Sequence, residues 1–183
     1  ASLPVEVMKG FEQKFQVPII EGYGMSEGSP VVTFNHRDRE RKPGSIGTPA
    51  WGVEVMIADE KDQPLPDGEK GQLLYRGHNV MRGYYQRPEA NADALKGGWM
   101  HSGDVAYRDE DGYYYIVDRT KDMIIRGGLN VYPREVEEVM MEHEAVSLVA
   151  VIGVPDEKLG EEIKAYVVRK EGKEVSGEAL IAW

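Results

Sequence analysis

The sequence contains no cysteine, which excludes a disulfide framework and any chemistry that depends on a thiolate. It has no apolar run approaching the roughly 18 residues of a membrane span, and its first residues, ASLPVEVMKG, lack the apolar core of a signal peptide. Basic residues are in the minority: 22 Lys and Arg stand against 32 Asp and Glu, giving a formal net charge of −10. Because an acidic surface repels phosphate backbones, we expect no nucleic-acid partner. The absence of cysteine fits a reducing compartment, so we expect a cytoplasmic protein, and the lack of a long apolar run predicts no transmembrane segment.

The chain does contain enough apolar material for a core. Hydrophobic residues make up 41% of its 183 positions, which suits one large domain or a medium domain joined to a small one. The chain begins with Ala1 and ends on an apolar run at residues 179–183. This pattern leads us to expect an excised piece of a longer protein.

The patterning of the sequence predicts an α+β fold. A helix is expected over residues 9–15 and a short buried strand over residues 17–20, followed by a glycine-rich turn. From residue 44 to residue 118, period-two segments alternate with turn residues, which favours a small distorted β-barrel. After residue 118 the pattern becomes helix and strand: Pro133 begins a helix, and residues 146–152 are apolar enough to predict a central strand.

The turn at residues 24–28 has two chemical interpretations. It matches the G-x-S-x-G nucleophile elbow, with Ser26 as nucleophile, but residues 29–32 (SPVV) are a poor start for the helix that an elbow requires. The same glycines could cradle a phosphate, with Ser26 adding a hydroxyl donor, although neither a dinucleotide fingerprint nor a P-loop is present. An ordinary tight turn explains the glycines equally well.

Three further segments are ambiguous when each is taken separately. Asp104 could accept hydrogen bonds from sugar hydroxyls or could be a common turn aspartate. Residues 118–122 could be a solvated charge cluster, and residues 126–130 a plain loop. No His, Cys, Asp or Glu cluster has the spacing of metal ligands, which argues against a zinc site built only from protein ligands.

Taken in order, four segments resemble the motifs of the adenylate-forming superfamily, which comprises acyl-CoA synthetases, luciferases and the adenylation domains of peptide synthetases. Residues 21–27 (EGYGMSE) resemble its Y-G-x-[ST]-E motif, and residues 71–84 its G-E-L…G…V…G-Y motif, with Gln72 in place of Glu. Residues 101–104 (HSGD) resemble its [YH]-[ST]-G-D motif. Residues 118–137 resemble its hinge motif, with Asp118 in place of the leading Gly. The hinge segment is most similar to that of long-chain fatty-acyl-CoA ligases, and aryl-CoA ligases are the near alternative.

The resemblance implies an architecture and a reaction. Residues 1–43 would end the α/β part of a large N-terminal domain and carry the adenylate-binding turn. Residues 44–118 would form the barrel-like subdomain, and residues 119–183 the hinge and an incomplete C-terminal domain. A fatty acid would be activated by ATP as an acyl-adenylate and then transferred to coenzyme A, with Mg2+ as the cation.

The resemblance also assigns roles to residues near the nucleotide. Ser26 would donate to the α-phosphate and Glu27 would hold Mg2+, which prefers oxygen ligands. Tyr23 would stack on adenine, and Asp104 would accept both ribose hydroxyls. Two glycines would let the backbone approach the nucleotide and the acyl group: Gly22 and Gly24.

Residues in and after the hinge motif would contact the nucleotide, permit the domain rotation and face coenzyme A. Arg119 would contact the ribose or a phosphate, and Lys121 matches the hinge position, where a change in backbone angles lets a domain rotate. Three residues would face the pantetheine arm of coenzyme A: Arg126, Gly127 and Gly128.

Two parts of the family's machinery have no counterpart in the sequence. Neither its Ser/Thr/Gly-rich phosphate loop nor the P-x-T-x-[ST]-G-K pattern of its catalytic lysine occurs. We therefore expect the isolated chain to have little or no ligase activity. The alternative is a non-catalytic module that binds a nucleotide or an acyl group. Peripheral membrane contact of a longer ligase and the oligomeric state are left open.

Overall fold

The computed structural model describes residue 3 and residues 5–183. Its contacts divide the chain into an N-terminal unit, Ala1–Ile116, and a C-terminal unit, Val117–Trp183. Each unit has its own hydrophobic core. Helices and strands occur in both, which confirms the α+β class. The further division of the N-terminal unit at residue 44 stays a prediction.

The N-terminal unit begins with helix α1, Val5–Phe15, whose Phe11 and Phe15 rings lie 4.6 Å apart, centroid to centroid, one turn apart on the helix. The buried strand expected over residues 17–20 is wrong. The Ile19 amide donates to the Glu12 carboxylate at 2.6 Å, and Arg41 donates to the Ile19 carbonyl at 2.6 Å. Side chains therefore satisfy the backbone there without a strand partner, and Val17 is exposed.

Two antiparallel sheets follow in the N-terminal unit. The first contains strands β1 (Gly22–Gly24), β2 (Val31–Phe34) and β3 (Thr48–Pro49) in that order. The second has the order β4-β5-β6-β7, with bounds Val53–Ala58, Gly71–Gly77, Met100–Arg108 and Tyr114–Arg119; the unit boundary falls within β7. Helix α2, Pro88–Ala94, lies between β5 and β6 in the chain.

The second sheet is open. Among the described residues β4 and β7 occupy its two edges and form no closed barrel, which corrects the barrel-like expectation. A single bridge between Gly47 and Tyr114 reaches β7 from the segment before β3. Strand β5 is covered on both faces, because Leu73, Leu74 and Tyr75 are all fully buried. This central strand anchors the core beneath the candidate site.

The C-terminal unit is a four-stranded sheet with helices α3 (Pro133–Glu142) and α4 (Gly177–Ala182). Its strands have the order β10-β11-β8-β9, and their bounds are Ile124–Arg126 (β8), Leu129–Val131 (β9), Val146–Asp156 (β10) and Gly160–Arg169 (β11). The expectation that residues 146–152 form a central strand is wrong in position, because β10 lies at the sheet edge. Val149 and Val151 face the core, whereas Leu148 is 61% exposed.

Side-chain oxygens accept hydrogen bonds from backbone amides at the start of both helices in this unit. The Arg134 amide at the start of α3 donates to the Asp118 carboxylate at 3.0 Å, so Asp118 satisfies one of the amides that a helix start leaves without a partner. The Ala179 amide donates to Ser176 Oγ at 3.1 Å at the start of α4. Beyond α4, the Trp183 ring meets His143 edge-on, with centroids 5.2 Å apart.

Candidate functional site

Two predicted site residues, 81 positions apart in the sequence, meet in the N-terminal unit. The Tyr23 hydroxyl on β1 donates to the Asp104 carboxylate on β6 at 2.5 Å. Burial, followed by the hydrogen bond to Asp104, raises the pKa of Tyr23 well above its ordinary value. Tyr23 therefore remains a neutral donor at physiological pH, and it fixes the orientation of the carboxylate.

An irregularity in the sheet sets the position of Asp104. The pairing of β5 with β6 shifts register between Gln72 and Leu74, as at a β-bulge. Ser102 stabilises the irregular segment, because its hydroxyl donates to the Leu73 carbonyl at 2.6 Å and accepts from the Asp104 amide at 3.0 Å. Gly103 lies between them with a φ of +74°, which favours glycine.

Glu27 lies in a short 310 turn, Ser26–Gly28, and is held from two sides. Its carboxylate accepts a hydrogen bond from the Tyr84 hydroxyl at 2.7 Å, and its carbonyl accepts from the Met81 amide at 2.8 Å. Asn91 in turn holds the Tyr84 backbone, accepting from its amide at 2.6 Å and donating to its carbonyl at 3.0 Å. The segment around Tyr84 therefore fixes the Glu27 carboxylate.

The two glycines expected to admit a nucleotide are also required by packing. A Cβ atom on Gly24 would lie 1.6 Å from the Pro30 carbonyl oxygen, and one on Gly22 would lie 2.1 Å from the Phe34 ring. A side chain at Gly24 would thus collide with backbone. Close strand packing is a sufficient reason for glycine at both positions.

Ser26 is exposed, as the phosphate-cradle interpretation requires. Among the described residues no hydrogen bond joins it to a histidine. His101 instead faces the Asp62 carboxylate at 3.0 Å and the Trp99 carbonyl at 3.2 Å. This arrangement gives no support to a serine nucleophile activated by an imidazole.

Sequence reasoning missed one residue at this site, Tyr75. Its side chain is fully buried on β5, and within the described part of the chain its hydroxyl has no hydrogen-bond partner. Burial, and then the charge of Glu27, raise the pKa of Tyr75 well above its ordinary value. In the sequence Tyr75 is only one more aromatic residue in a strand, so no signal distinguished it.

The remaining predicted residues lie in the C-terminal unit, along a single stretch of chain. Arg119 precedes a 310 turn, Thr120–Asp122, which carries the exposed Lys121. Gly127 and Gly128 form the two-residue turn of the β8–β9 hairpin, with φ angles of +59° and +84°. Two positive φ angles in succession explain why both positions are glycine.

Arg126, expected to face coenzyme A, is paired with a carboxylate. It forms a bidentate ion pair with Glu162, from Nε to Oε1 at 2.6 Å and from Nη2 to Oε2 at 2.8 Å. The Arg126 hydrogen bond, and then the Ile163 amide, lower the pKa of Glu162 to about 2. The Arg126 guanidinium is therefore already paired with a carboxylate, and the two parallel hydrogen bonds match the planar geometry of both groups.

The described residues contain no cluster of three or more His, Asp or Glu side chains that could hold a metal ion. A single carboxylate, Glu27, fits the mode in which Mg2+ is bound by one or two carboxylates together with substrate phosphates. No helix in the described part of the chain is long and apolar enough to cross a membrane.

Comparison with known proteins identifies the class. The family model described as "AMP-binding enzyme" matches residues 1–85, and the model "AMP-binding enzyme C-terminal domain" matches residues 135–183. The chain belongs to this AMP-binding, adenylate-forming enzyme family, as its motifs indicated.

Individual relatives sharpen the comparison. The chain is 46% identical over 184 residues to a long-chain-fatty-acid–CoA ligase of Bacillus subtilis (strain 168), covering 100% of this chain and 33% of that protein. It is 48% identical over 165 residues to a feruloyl-CoA synthase of an Amycolatopsis species, covering 90% of this chain and 34% of that protein. A crystal structure of ATP-bound MatB from Rhodopseudomonas palustris matches with a TM-score of 0.94 at 35% identity, covering 100% of this chain and 36% of that one. The chain thus spans about a third of the length of these relatives.

Proposed function

We propose that the chain is part of an ATP-dependent acyl-CoA ligase of the cytoplasm, and that it carries the ligase's adenylate-binding residues. The single observation that carries the proposal is the hydrogen bond between Tyr23 and Asp104. It joins the Y-G-x-[ST]-E and [YH]-[ST]-G-D segments, which are far apart in the sequence. That arrangement suits a ligand that touches both, as a nucleotide does.

The proposed reaction has two steps. In the first, a carboxylate oxygen of the acid forms a bond to the α-phosphorus of ATP, and pyrophosphate leaves with the electron pair of the broken P–O bond. In the second, the sulfur of coenzyme A bonds to the acyl carbon and its thiol proton passes to solvent, while AMP leaves with the electron pair of the broken bond between the acyl carbon and the phosphate oxygen. The first step brings an anion to a polyanion, so donors and a cation near the α-phosphate would lower its barrier.

In this proposal, different residues of the N-terminal unit contact different parts of the nucleotide. Asp104 accepts hydrogen bonds from the ribose hydroxyls, since a carboxylate is an acceptor with two oxygens, and Tyr23 fixes its orientation. Tyr23 presents its ring to the adenine, and Ser26 donates to the α-phosphate. Glu27 would hold Mg2+, which supplies positive charge to the phosphate oxygens when bound.

Residues of the C-terminal unit act after adenylation. Lys121 is the hinge residue, and its exposed 310 turn suits a position that must change backbone angles. Arg119 contacts the ribose or a phosphate. The Arg126–Gly127–Gly128 turn faces coenzyme A, and its glycines expose the backbone because they carry no side chain.

A fatty acid is the proposed substrate, and the B. subtilis ligase supports it. The feruloyl-CoA synthase, which is similarly identical, favours an aryl acid as the second candidate. Since the sequence lacks the patterns of the phosphate loop and the catalytic lysine, we propose that this 183-residue chain binds adenylates without efficient ligase turnover.

Calorimetric titration of the chain with AMP and with non-hydrolysable palmitoyl- and feruloyl-adenylate analogues tests the proposal. We expect AMP to bind, and Asp104→Ala to weaken its affinity at least about tenfold, because hydrogen bonds to a charged group are lost. The matched control is Asp67→Ala, which removes a carboxylate that accepts from Arg108 at 2.5 Å in the same unit. Equal affinities of wild type and Asp104→Ala would refute the site.

The proposed substrate and the proposed lack of turnover are tested by separate measurements. Tighter binding of the palmitoyl analogue supports the fatty acid, whereas tighter binding of the feruloyl analogue supports the aryl acid. Robust formation of acyl-AMP from ATP and palmitate by the isolated chain would contradict the proposed lack of turnover.

A further inference from the structure

Tyr75 has a buried hydroxyl beside the candidate site that makes no hydrogen bond in the structure. The side chain is fully buried, and its hydroxyl is one of two buried side-chain polar atoms without a partner among the described residues. Burying an unpaired hydroxyl is costly. Such a group in a well-packed core therefore requires an explanation.

The Tyr75 hydroxyl lies close to the chain segment that carries Glu27, the residue expected to hold the cation. A Cβ atom built on Gly28 would be 3.1 Å from the Tyr75 hydroxyl oxygen, and Gly28 follows Glu27 in the chain. Only glycine at position 28 leaves this space open to the tyrosine. After burial, the Glu27 charge is the largest of the effects that raise the pKa of Tyr75, ahead of Tyr84 and Asp104. Tyr75 is thus a neutral donor close to the chain segment that carries the Glu27 carboxylate.

The Glu27 carboxylate already accepts a hydrogen bond from one tyrosine hydroxyl, that of Tyr84. The Tyr84 hydroxyl, partly exposed, donates to Glu27 Oε1 at 2.7 Å. Carboxylates that bind metal ions are themselves usually hydrogen-bonded, and loss of these outer partners typically lowers metal affinity about 10–100-fold. Tyr84 thus supplies one donor to the Glu27 carboxylate, and the Tyr75 hydroxyl, close to Gly28, is the candidate for a second.

We propose that Tyr75 is a positioning residue of the cation site, and that its hydroxyl donates to the Glu27 carboxylate when the nucleotide and its cation are bound. The inference rests on the proposed function, because it assigns the cation to Glu27. It adds a residue that acts through Glu27 without touching the nucleotide. Among the described residues the hydroxyl has no hydrogen-bond partner, and binding of the nucleotide and cation would bring the Glu27 carboxylate within its reach.

Tyr75→Phe tests the role, because it removes only the hydroxyl. In titrations of the 183-residue chain, we expect its affinity for ATP in excess Mg2+ to fall about tenfold. Its affinity for AMP in EDTA should be unchanged, because Tyr23 and Asp104 remain. The matched control is Tyr114→Phe, on β7 of the same unit, whose buried hydroxyl donates to the Val55 carbonyl at 2.9 Å. It should leave both affinities unchanged.

Thermal unfolding without ligand provides a second, independent readout. Tyr75→Phe removes an unpaired buried hydroxyl, so its Tm should rise by about 2–4 °C. Tyr114→Phe leaves the Val55 carbonyl without its partner, so its Tm should fall. A fall in Tm for Tyr75→Phe would overturn the proposal, because it would mean that the hydroxyl already makes a hydrogen bond without ligand.

The outcomes separate the two levels of inference. If wild type binds AMP but Tyr75→Phe binds Mg2+-ATP as tightly as wild type, the role of Tyr75 fails and the proposed function stands. If wild type binds neither AMP nor ATP, the proposed function fails and the role of Tyr75 fails with it.

Discussion

The two units assemble their candidate site residues in opposite ways. In the N-terminal unit, the Tyr23–Asp104 and Tyr84–Glu27 hydrogen bonds join positions 81 and 57 apart in the sequence. In the C-terminal unit, residues 119–128 are neighbours along one stretch that ends in a hairpin turn. A site built from distant segments depends on the core beneath it, whereas a hairpin depends mainly on its own turn. Changes to packing should therefore damage the first far more than the second.

Gly24→Ala should have the largest effect, because its Cβ would lie 1.6 Å from a backbone oxygen, that of Pro30. Backbone cannot move aside as a flexible side chain can, so we expect a loss of about 3–5 kcal/mol in the free energy of unfolding of the N-terminal unit. Urea denaturation followed by circular dichroism measures it.

Gly10→Ala is the control for that change, because among the described residues no atom outside its chain neighbours and the backbone of α1 lies within 4 Å of its Cβ position. It should stabilise the unit by about 0.5–1 kcal/mol, the usual gain from replacing a helical glycine. Equal effects of the two substitutions would refute the close packing of β1 against Pro30.

Tyr84→Phe tests the long-range contact on the exposed side of the site. It removes the donor to Glu27 while Asn91 continues to hold the backbone, so we expect an affinity for Mg2+-ATP about tenfold weaker. Calorimetric titration gives the affinity. The adjacent Tyr85→Phe is the control, because Tyr85 is 87% exposed. A comparable loss in Tyr85→Phe would argue against a specific role for the Tyr84 hydroxyl.

In the C-terminal unit, Ser176→Ala should have a local effect. It removes the oxygen that accepts from the Ala179 amide at the start of α4, at a cost of about 1 kcal/mol. Hydrogen exchange at Ala179 should accelerate, while Ser176→Thr, which keeps an acceptor, should exchange nearly as wild type. Faster exchange throughout the unit would show that α4 is coupled to the whole core.

The smallest effect is expected from Glu162→Gln, because Glu162 and its partner Arg126 are about two-fifths exposed. The pKa of Glu162 falls from 4.5 to about 2 on folding, so its stabilisation is complete above about pH 4.5 and is lost as pH falls through about 2. Denaturation of the C-terminal unit between pH 5 and pH 2 should show a shallower loss of stability in the variant.

Glu171→Gln, at an exposed position of the same unit, is the control for that titration and should follow the wild type. If Glu162→Gln followed the wild type as well, the ion pair with Arg126 would contribute nothing to stability.

The order of the four motifs along the chain was the sequence feature that predicted most about the protein. The α+β class and the enzyme family are confirmed. The structure also joins Tyr23 to Asp104, a contact that the motifs taken separately did not predict, while the roles of both residues stay predictions. Motif spacing could not reveal Tyr75, because its importance comes from burial next to Glu27 and not from any neighbour in the sequence.

The errors have a common physical origin in apolar runs. Residues 17–20 look like a strand, but Glu12 and Arg41 satisfy the Ile19 backbone. Residues 146–152 look buried on both faces, yet β10 lies at a sheet edge and only alternate side chains enter the core. An apolar run indicates hydrophobicity, but it does not indicate which neighbours are available to cover it.

The contact between Trp183 and His143 provides an optical probe of one unit. Of the three tryptophans in the chain, Trp51 and Trp99 belong to the N-terminal unit, and only Trp183 belongs to the C-terminal unit. A Trp51→Phe, Trp99→Phe double variant would emit from Trp183 only, and unfolding would separate that indole from the imidazole 5.2 Å away. The fluorescence of this variant would then follow the C-terminal unit independently, with no added label.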